Sequence, residues 1–140
     1  MSRKAKIDQI IEKLIEEVAS SDEEKREKFI LDNKRSVIQV NKLLQQSIMK
    51  DELSDNEASQ TMGLNCLLAI SSAATSKAFE IDLINSFLSE EKFINYLMNR
   101  IHNNKSNDLH LGIIVNLTRC STGANDIYRL CPKDFFSKFI

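Results

Sequence analysis

Proline and glycine are scarce in this 140-residue chain, one and three respectively, and they never pair into evenly spaced turns. An all-β or βαβ chain needs such turn pairs, so their absence tilts the reading to an all-α protein. Charge of one sign is missing as well, with 19 basic residues against 20 acidic ones. There is no basic stripe to bind phosphates by counterion release, and nucleic acid is not an expected partner. The opening MSRKAK runs into alternating Ile, Glu and Lys rather than an apolar core, so neither a signal peptide nor a membrane span is expected. The three cysteines, Cys66, Cys120 and Cys131, are odd in number and lie among apolar residues. That pattern suits buried free thiols in a reducing compartment, the cytoplasm or the nucleus.

What the chain does have is helical periodicity from end to end, with a length that fits one domain. Ile7, Ile10, Ile11, Leu14, Ile15 and Val18 form one apolar stripe. That first helix can pack on the third, which is marked by Val37, Val40, Leu44 and Ile48, or it can serve as a docking or dimerising element. Ser21 with Glu24, and Ser54 with Glu57, have capping-box spacing. The helix after Ser54 is apolar nearly all round, as expected of one with neighbours on both sides. Ser76 is the expected cap of the next helix, with Phe79, Leu83, Ile84, Phe87 and Leu88 facing inward. Ser89 is expected to open another, with Phe93, Ile94, Leu97, Met98 and Ile101 as its stripe and Arg100 near its end. Gly123 is expected to close the following helix as a left-handed cap, before a short helix over residues 124–130 and Pro132 in the first turn of another.

One segment is used twice. Residues 62–73, MGLNCLLAISSA, and residues 109–120, LHLGIIVNLTRC, match in helical register 47 positions apart, with Met62/Leu109, Leu64/Leu111, Cys66/Ile113, Leu67/Ile114, Leu68/Val115, Ile70/Leu117 and Ala73/Cys120 all apolar. Lys92-Phe93-Ile94 returns as Lys138-Phe139-Ile140, 46 positions later. Recurrence at this length belongs to stacked-helix solenoids, in which no unit can bury its stripe alone. The chain stops where another repeat helix is due, which suggests a truncated product, a fragment or a short family member.

Val115-Asn116-Leu117-Thr118-Arg119 resembles the NLTR signature of the armadillo-repeat family of high-mobility-group homologues, folding factors of translation elongation factor 2. Leu67-Leu68-Ala69-Ile70-Ser71-Ser72 is similar to that family's LINLSSD-like segment, and residues 93–101, FINYLMNRI, resemble the helix leading into the signature. The resemblance covers about residues 57–140. It implies a short right-handed armadillo or HEAT-like solenoid of two to three repeats, with residues 1–56 as N-terminal helices or a degenerate repeat. It also implies a non-catalytic chaperone or adaptor whose client is elongation factor 2. The alternative is a small structural subunit or dimerising scaffold, separable by oligomeric state.

Asn116 is the first candidate for partner binding, since an inward amide can both donate to and accept from an extended peptide. It can equally tie adjacent repeats together. Arg119, three residues on, can clamp an acidic partner or make an ordinary contact at a helix C-terminus. His102 and His110 share no metal-ligand spacing with each other or with a cysteine, and are expected at the surface. Met49, Met62 and Met98 are expected as core fillers. With no glycine-rich phosphate loop, no dinucleotide fingerprint and only acidic pairs set among lysines, no catalytic residue, cofactor or metal is expected.

Overall fold

A computed structural model describes residues 3–19, 22–50, 57–76, 79–89, 91–103 and 108–130. Among the described residues there are eight α-helices and no strand: α1 (Arg3–Ala19), α2 (Glu23–Asp32), α3 (Lys34–Lys50), α4 (Glu57–Thr75), α5 (Ile81–Leu88), α6 (Glu91–His102), α7 (Asp108–Leu117) and α8 (Ser121–Leu130). The protein is all-helical, and none of these helices is long and apolar enough to cross a membrane.

The helices pack on near neighbours in the chain, α1 on α2 and α3, α2 on α4, α3 on α4 and α5, and also on helices three along. α1 lies on α4 and α4 on α7, α3 meets α6, and α5 meets α8. α4 is the hub, touching α1, α2, α3, α5 and α7. This explains why its apolar surface is broader than a single stripe: Leu64, Cys66, Leu67, Ile70, Ala73 and Ala74 are all buried. The 47-residue echo therefore joins two helices in direct contact. Cys66/Ile113, Leu67/Ile114, Ile70/Leu117 and Ala73/Cys120 are buried in both members. The α1 stripe is used within the chain, with Leu14 fully buried and Ile10, Ile11 and Ile15 against the same core.

One interhelical contact, between α3 and α5, is polar and buried. Asn41 Nδ2 donates to Ser86 Oγ at 2.6 Å, and Ser86 Oγ donates to Leu83 O at 2.5 Å. Gln45 Nε2 completes the group by donating to Asn41 Oδ1 and Ser86 O at 2.7 and 2.9 Å. All three side chains are buried, so each polar group must find a partner inside the protein. Across the surface of the same joint, Lys34 Nζ lies 3.5 Å from Glu80 and 3.8 Å from Asp82.

Several local expectations are corrected. Asp22, not Ser21, caps α2, accepting from Lys25 N at 3.2 Å. Ser76 caps nothing; its hydroxyl donates to Glu27 Oε1 at 2.6 Å, while Glu80 holds the cap position of α5 without a side-chain bond. Phe79 lies before α5 begins and is 58% exposed. Ser89 is the C-cap of α5, its N–H bonded to Asn85 O at 2.8 Å, and α6 is described from Glu91. Met62 is 48% exposed on α4, whereas Met98 is buried and Met49 packs against the core. His110 is buried, not at the surface, with its ring 6.3 Å from that of Tyr96. Gly123 sits inside α8 without a left-handed backbone; a Cβ there would lie 2.1 Å from Leu117 O, so the tight passage from α7 to α8 requires glycine. Helix α7 stops at Leu117, and Cys120 caps α8, its Sγ accepting from Gly123 N at 3.4 Å. The Ser54–Glu57 capping box, Cys131, Pro132 and the Lys138-Phe139-Ile140 echo lie outside the residues whose contacts are described.

Candidate functional site

An open groove of about 360 Å³ runs along α4, lined by Arg26 of α2, Asn65, Leu68, Ala69 and Ser72 of α4, and Asn116 of α7. The α4 residues fall at i, i+3, i+4 and i+7, the spacing that brings side chains onto one helical face. Among the lining residues there is no carboxylate, histidine or cysteine. The groove offers two amides, a hydroxyl, one guanidinium and a short apolar strip. Such a set can pair with the N–H and C=O groups of an extended peptide while burying small apolar side chains.

Asn116 is buried, and its amide nitrogen is used within the fold. Nδ2 donates to Ser71 Oγ at 3.0 Å and, more weakly, to Leu68 O at 3.4 Å. Ser71 Oγ in turn donates to Leu68 O at 2.9 Å. Asn116 thus ties α7 to α4 at the floor of the groove. The close approach that permits this comes from Gly112, one turn earlier, where an added Cβ would lie 2.8 Å from Leu68 Cδ1. Arg119 is exposed and stands in the turn after α7, its N–H bonded to Asn116 O at 3.2 Å. It does not line the groove, because α7 ends before the register that would align it with Asn116 is completed.

Arg26, Asn65 and Ser72 are lining residues that the sequence reading did not single out. Asn65 and Ser72 could have been found as the polar positions seven apart on an otherwise apolar helix. Arg26 carries no sequence signal for this role, since it stands within the run of charged residues that opens α2.

A second hollow, about 160 Å³ and mainly apolar, lies between α1, α3 and α4, with Ile11, Ile15, Leu44, Ile48, Met62 and Cys66 on its walls. Burial pushes the Cys66 thiol up to about 11, so it stays protonated and is no nucleophile at neutral pH. Among the described residues no group of three or more His, Cys, Asp or Glu side chains could hold a metal ion. Along α6, Phe93 is stacked 6.1 Å from Tyr96 and the Arg100 guanidinium lies 5.6 Å from the Tyr96 ring centre, while the His110 ring of α7 lies 6.3 Å from Tyr96.

No protein-family model, no curated protein and no solved structure matches this chain.

Proposed function

We propose that this chain is a non-catalytic helical-repeat protein of armadillo type, and that its α4 groove holds an extended segment of a client polypeptide. The observation that carries this reading is the groove itself: Asn65 and Ser72 present an amide and a hydroxyl on one α4 face, with Asn116 and Arg26 beside them and no carboxylate, histidine or cysteine among the lining residues. The row α1–α4–α7, in which the middle helix touches both others, supports the repeat. Asn116 serves this function by fixing the floor, with Asn65 and Ser72 as the principal contacts.

By its NLTR resemblance, the first client to test is elongation factor 2. Purified elongation factor 2 is diluted from denaturant into the full chain, and both complex formation and refolded yield are followed. The expected result is saturable binding and a raised yield, each reduced at least tenfold by Asn65→Trp with Ser72→Trp, which fills the groove from partly exposed positions. Binding unchanged by that double variant would remove the groove from the proposal. Absence of binding by the unaltered chain would remove the client.

A further inference from the structure

The α4–α7 contact contains a hydrogen-bonding step that occurs three times among the described residues and is filled in two of them. In each case a Ser or Thr hydroxyl donates to the carbonyl three residues before it: Ser86 to Leu83 O at 2.5 Å, Ser71 to Leu68 O at 2.9 Å and Thr118 to Val115 O at 2.7 Å. Beside the first, Asn41 Nδ2 donates to the hydroxyl; beside the second, Asn116 Nδ2 does the same. The third step is solvent-exposed, with Thr118 and Val115 both on the surface. It stands 47 residues after the second, Leu68/Ser71 becoming Val115/Thr118.

The apolar surroundings recur in the same register. Leu64 on α4, 1% exposed, corresponds to Leu111 on α7, 37% exposed, and Leu68, half-buried against Gly112, corresponds to Val115, 49% exposed. The face that α4 offers to α7 is therefore reproduced on α7, where no described helix covers it.

We propose that this face of α7 is a docking surface for a further amphipathic helix. That helix carries a glycine facing Val115 and, four residues later, an asparagine whose amide donates to Thr118 Oγ1 and Val115 O. The occupant is specified by the interface already formed, because Gly112 and Asn116 have this spacing and make the equivalent contacts to Leu68 and Ser71. It is a helix of a partner polypeptide. A second copy's α7 cannot serve while its own Gly112–Asn116 face lies against α4. This surface is separate from the α4 groove and does not depend on the client proposed for it.

The probe is a fluorescent peptide of residues 108–119, DLHLGIIVNLTR, with a lysine tail, titrated against the full chain by anisotropy. The expected result is saturable binding that weakens about fivefold with Thr118→Val in the protein or with leucine in place of the peptide's asparagine, the size of one neutral hydrogen bond. Val115→Arg or Leu111→Lys, each at an exposed position and each checked by circular dichroism for a folded chain, is expected to reduce binding at least tenfold. Three results overturn the proposal. One is no binding to the unaltered chain. Another is binding that survives Val115→Arg, which means the peptide has displaced α7 from α4. The third is self-association of the unaltered chain in light scattering, abolished by Val115→Arg, which gives the face to a second copy.

Discussion

Replacing Asn116 tests whether a buried amide, rather than apolar contact alone, holds α7 on α4. Asn116→Ala removes two donated hydrogen bonds, one at 3.0 Å and one at 3.4 Å. The first has ordinary N–H···O length and the second is long, so together they contribute about 1.5 kcal/mol. At 7% exposure the lost side chain also leaves a small void, adding about 1 kcal/mol. Ser71 keeps its own proton on Leu68 O, so no orphaned donor adds to the loss. The expected destabilisation is about 2–3 kcal/mol.

Asn116→Asp keeps the size and inverts the chemistry. A carboxylate would face a carbonyl and a hydroxyl already committed to that carbonyl, with little water to screen it. Desolvation and the facing lone pairs disfavour its charge, and a further loss of about 2 kcal/mol corresponds to a carboxyl raised by roughly one and a half units above its usual value near 3.9. The sign follows from linkage. With the folded value above the unfolded one, the extra deficit is full at neutral pH and shrinks as pH falls through the folded value, because the native carboxyl protonates first and regains a donor. Urea unfolding of N116A and N116D side by side reads the difference free of the protein's other titrations. N116D is expected to be the less stable by about 2 kcal/mol at about pH 7, and by less than half of that at about pH 4.5. Equal stabilities at both pH values, or N116A within about 0.5 kcal/mol of the unaltered chain, would refute the reasoning.

The three glycines form a graded series in thermal unfolding. Gly123→Ala meets backbone at 2.1 Å and is expected to destabilise by about 3 kcal/mol. Gly112→Ala meets only the tip of Leu68 at 2.8 Å, so with alanine's helix preference of about 1 kcal/mol against it the net loss stays near or below about 1 kcal/mol. Gly63→Ala, 3.2 Å from Ile48 Cδ1, is expected within about 0.5 kcal/mol of neutral. Cys120→Ala removes the sulfur acceptor at the start of α8 and is expected to lose about 1 kcal/mol, with Cys120→Ser the better tolerated because a hydroxyl can take the same N–H. Because the buried Cys66 thiol lies at about 11 against 9.0 unperturbed, its stabilising share is intact below pH 9 and is lost between there and 11, at most about 2.7 kcal/mol. Cys66→Ala, compared with the unaltered chain over that alkaline range, should lack this part of the decline.

The all-helical class was legible from scarce turn residues and unbroken periodicity, and the partnership of residues 62–73 with 109–120 from their shared register, because both depend on patterns that average over many side chains. Helix ends were less legible. Asp22 competes with Ser21 for one cap, and only the path of the chain decides which oxygen reaches Lys25 N. Gly123 reads from sequence as a left-handed cap, yet its constraint is the Leu117 carbonyl lying over it, a contact set by the angle between α7 and α8 rather than by its own backbone. His110 reads from sequence as a surface residue beside a polar stretch, whereas in the first turn of α7 its ring is buried and turned toward Tyr96. Asn116 was visible as a special residue, and the structure assigns its amide nitrogen to α4. The groove could not be assembled in advance, since Arg26 and Asn116 are 90 positions apart and meet only through the packing of α2 and α7 on α4.

The two filled Asn–hydroxyl steps also bear on why this stack has one register. Apolar helix faces slide on one another at small cost, because leucine, isoleucine and methionine contacts are interchangeable to within about 1.5 kcal/mol. A buried amide tolerates no such shift. Moving α7 along α4 by one turn would separate Asn116 from Ser71 and leave a polar donor without a partner in an apolar interface, a penalty of about 1–3 kcal/mol. The Asn41–Ser86 pair imposes the same condition between α3 and α5. The two pairs, one between α4 and α7 and one between α3 and α5, each restrict their two helices to one alignment. The groove's lining depends on the α4–α7 alignment, because Asn65 and Ser72 lie on α4 while Asn116 is carried by the helix it holds in place.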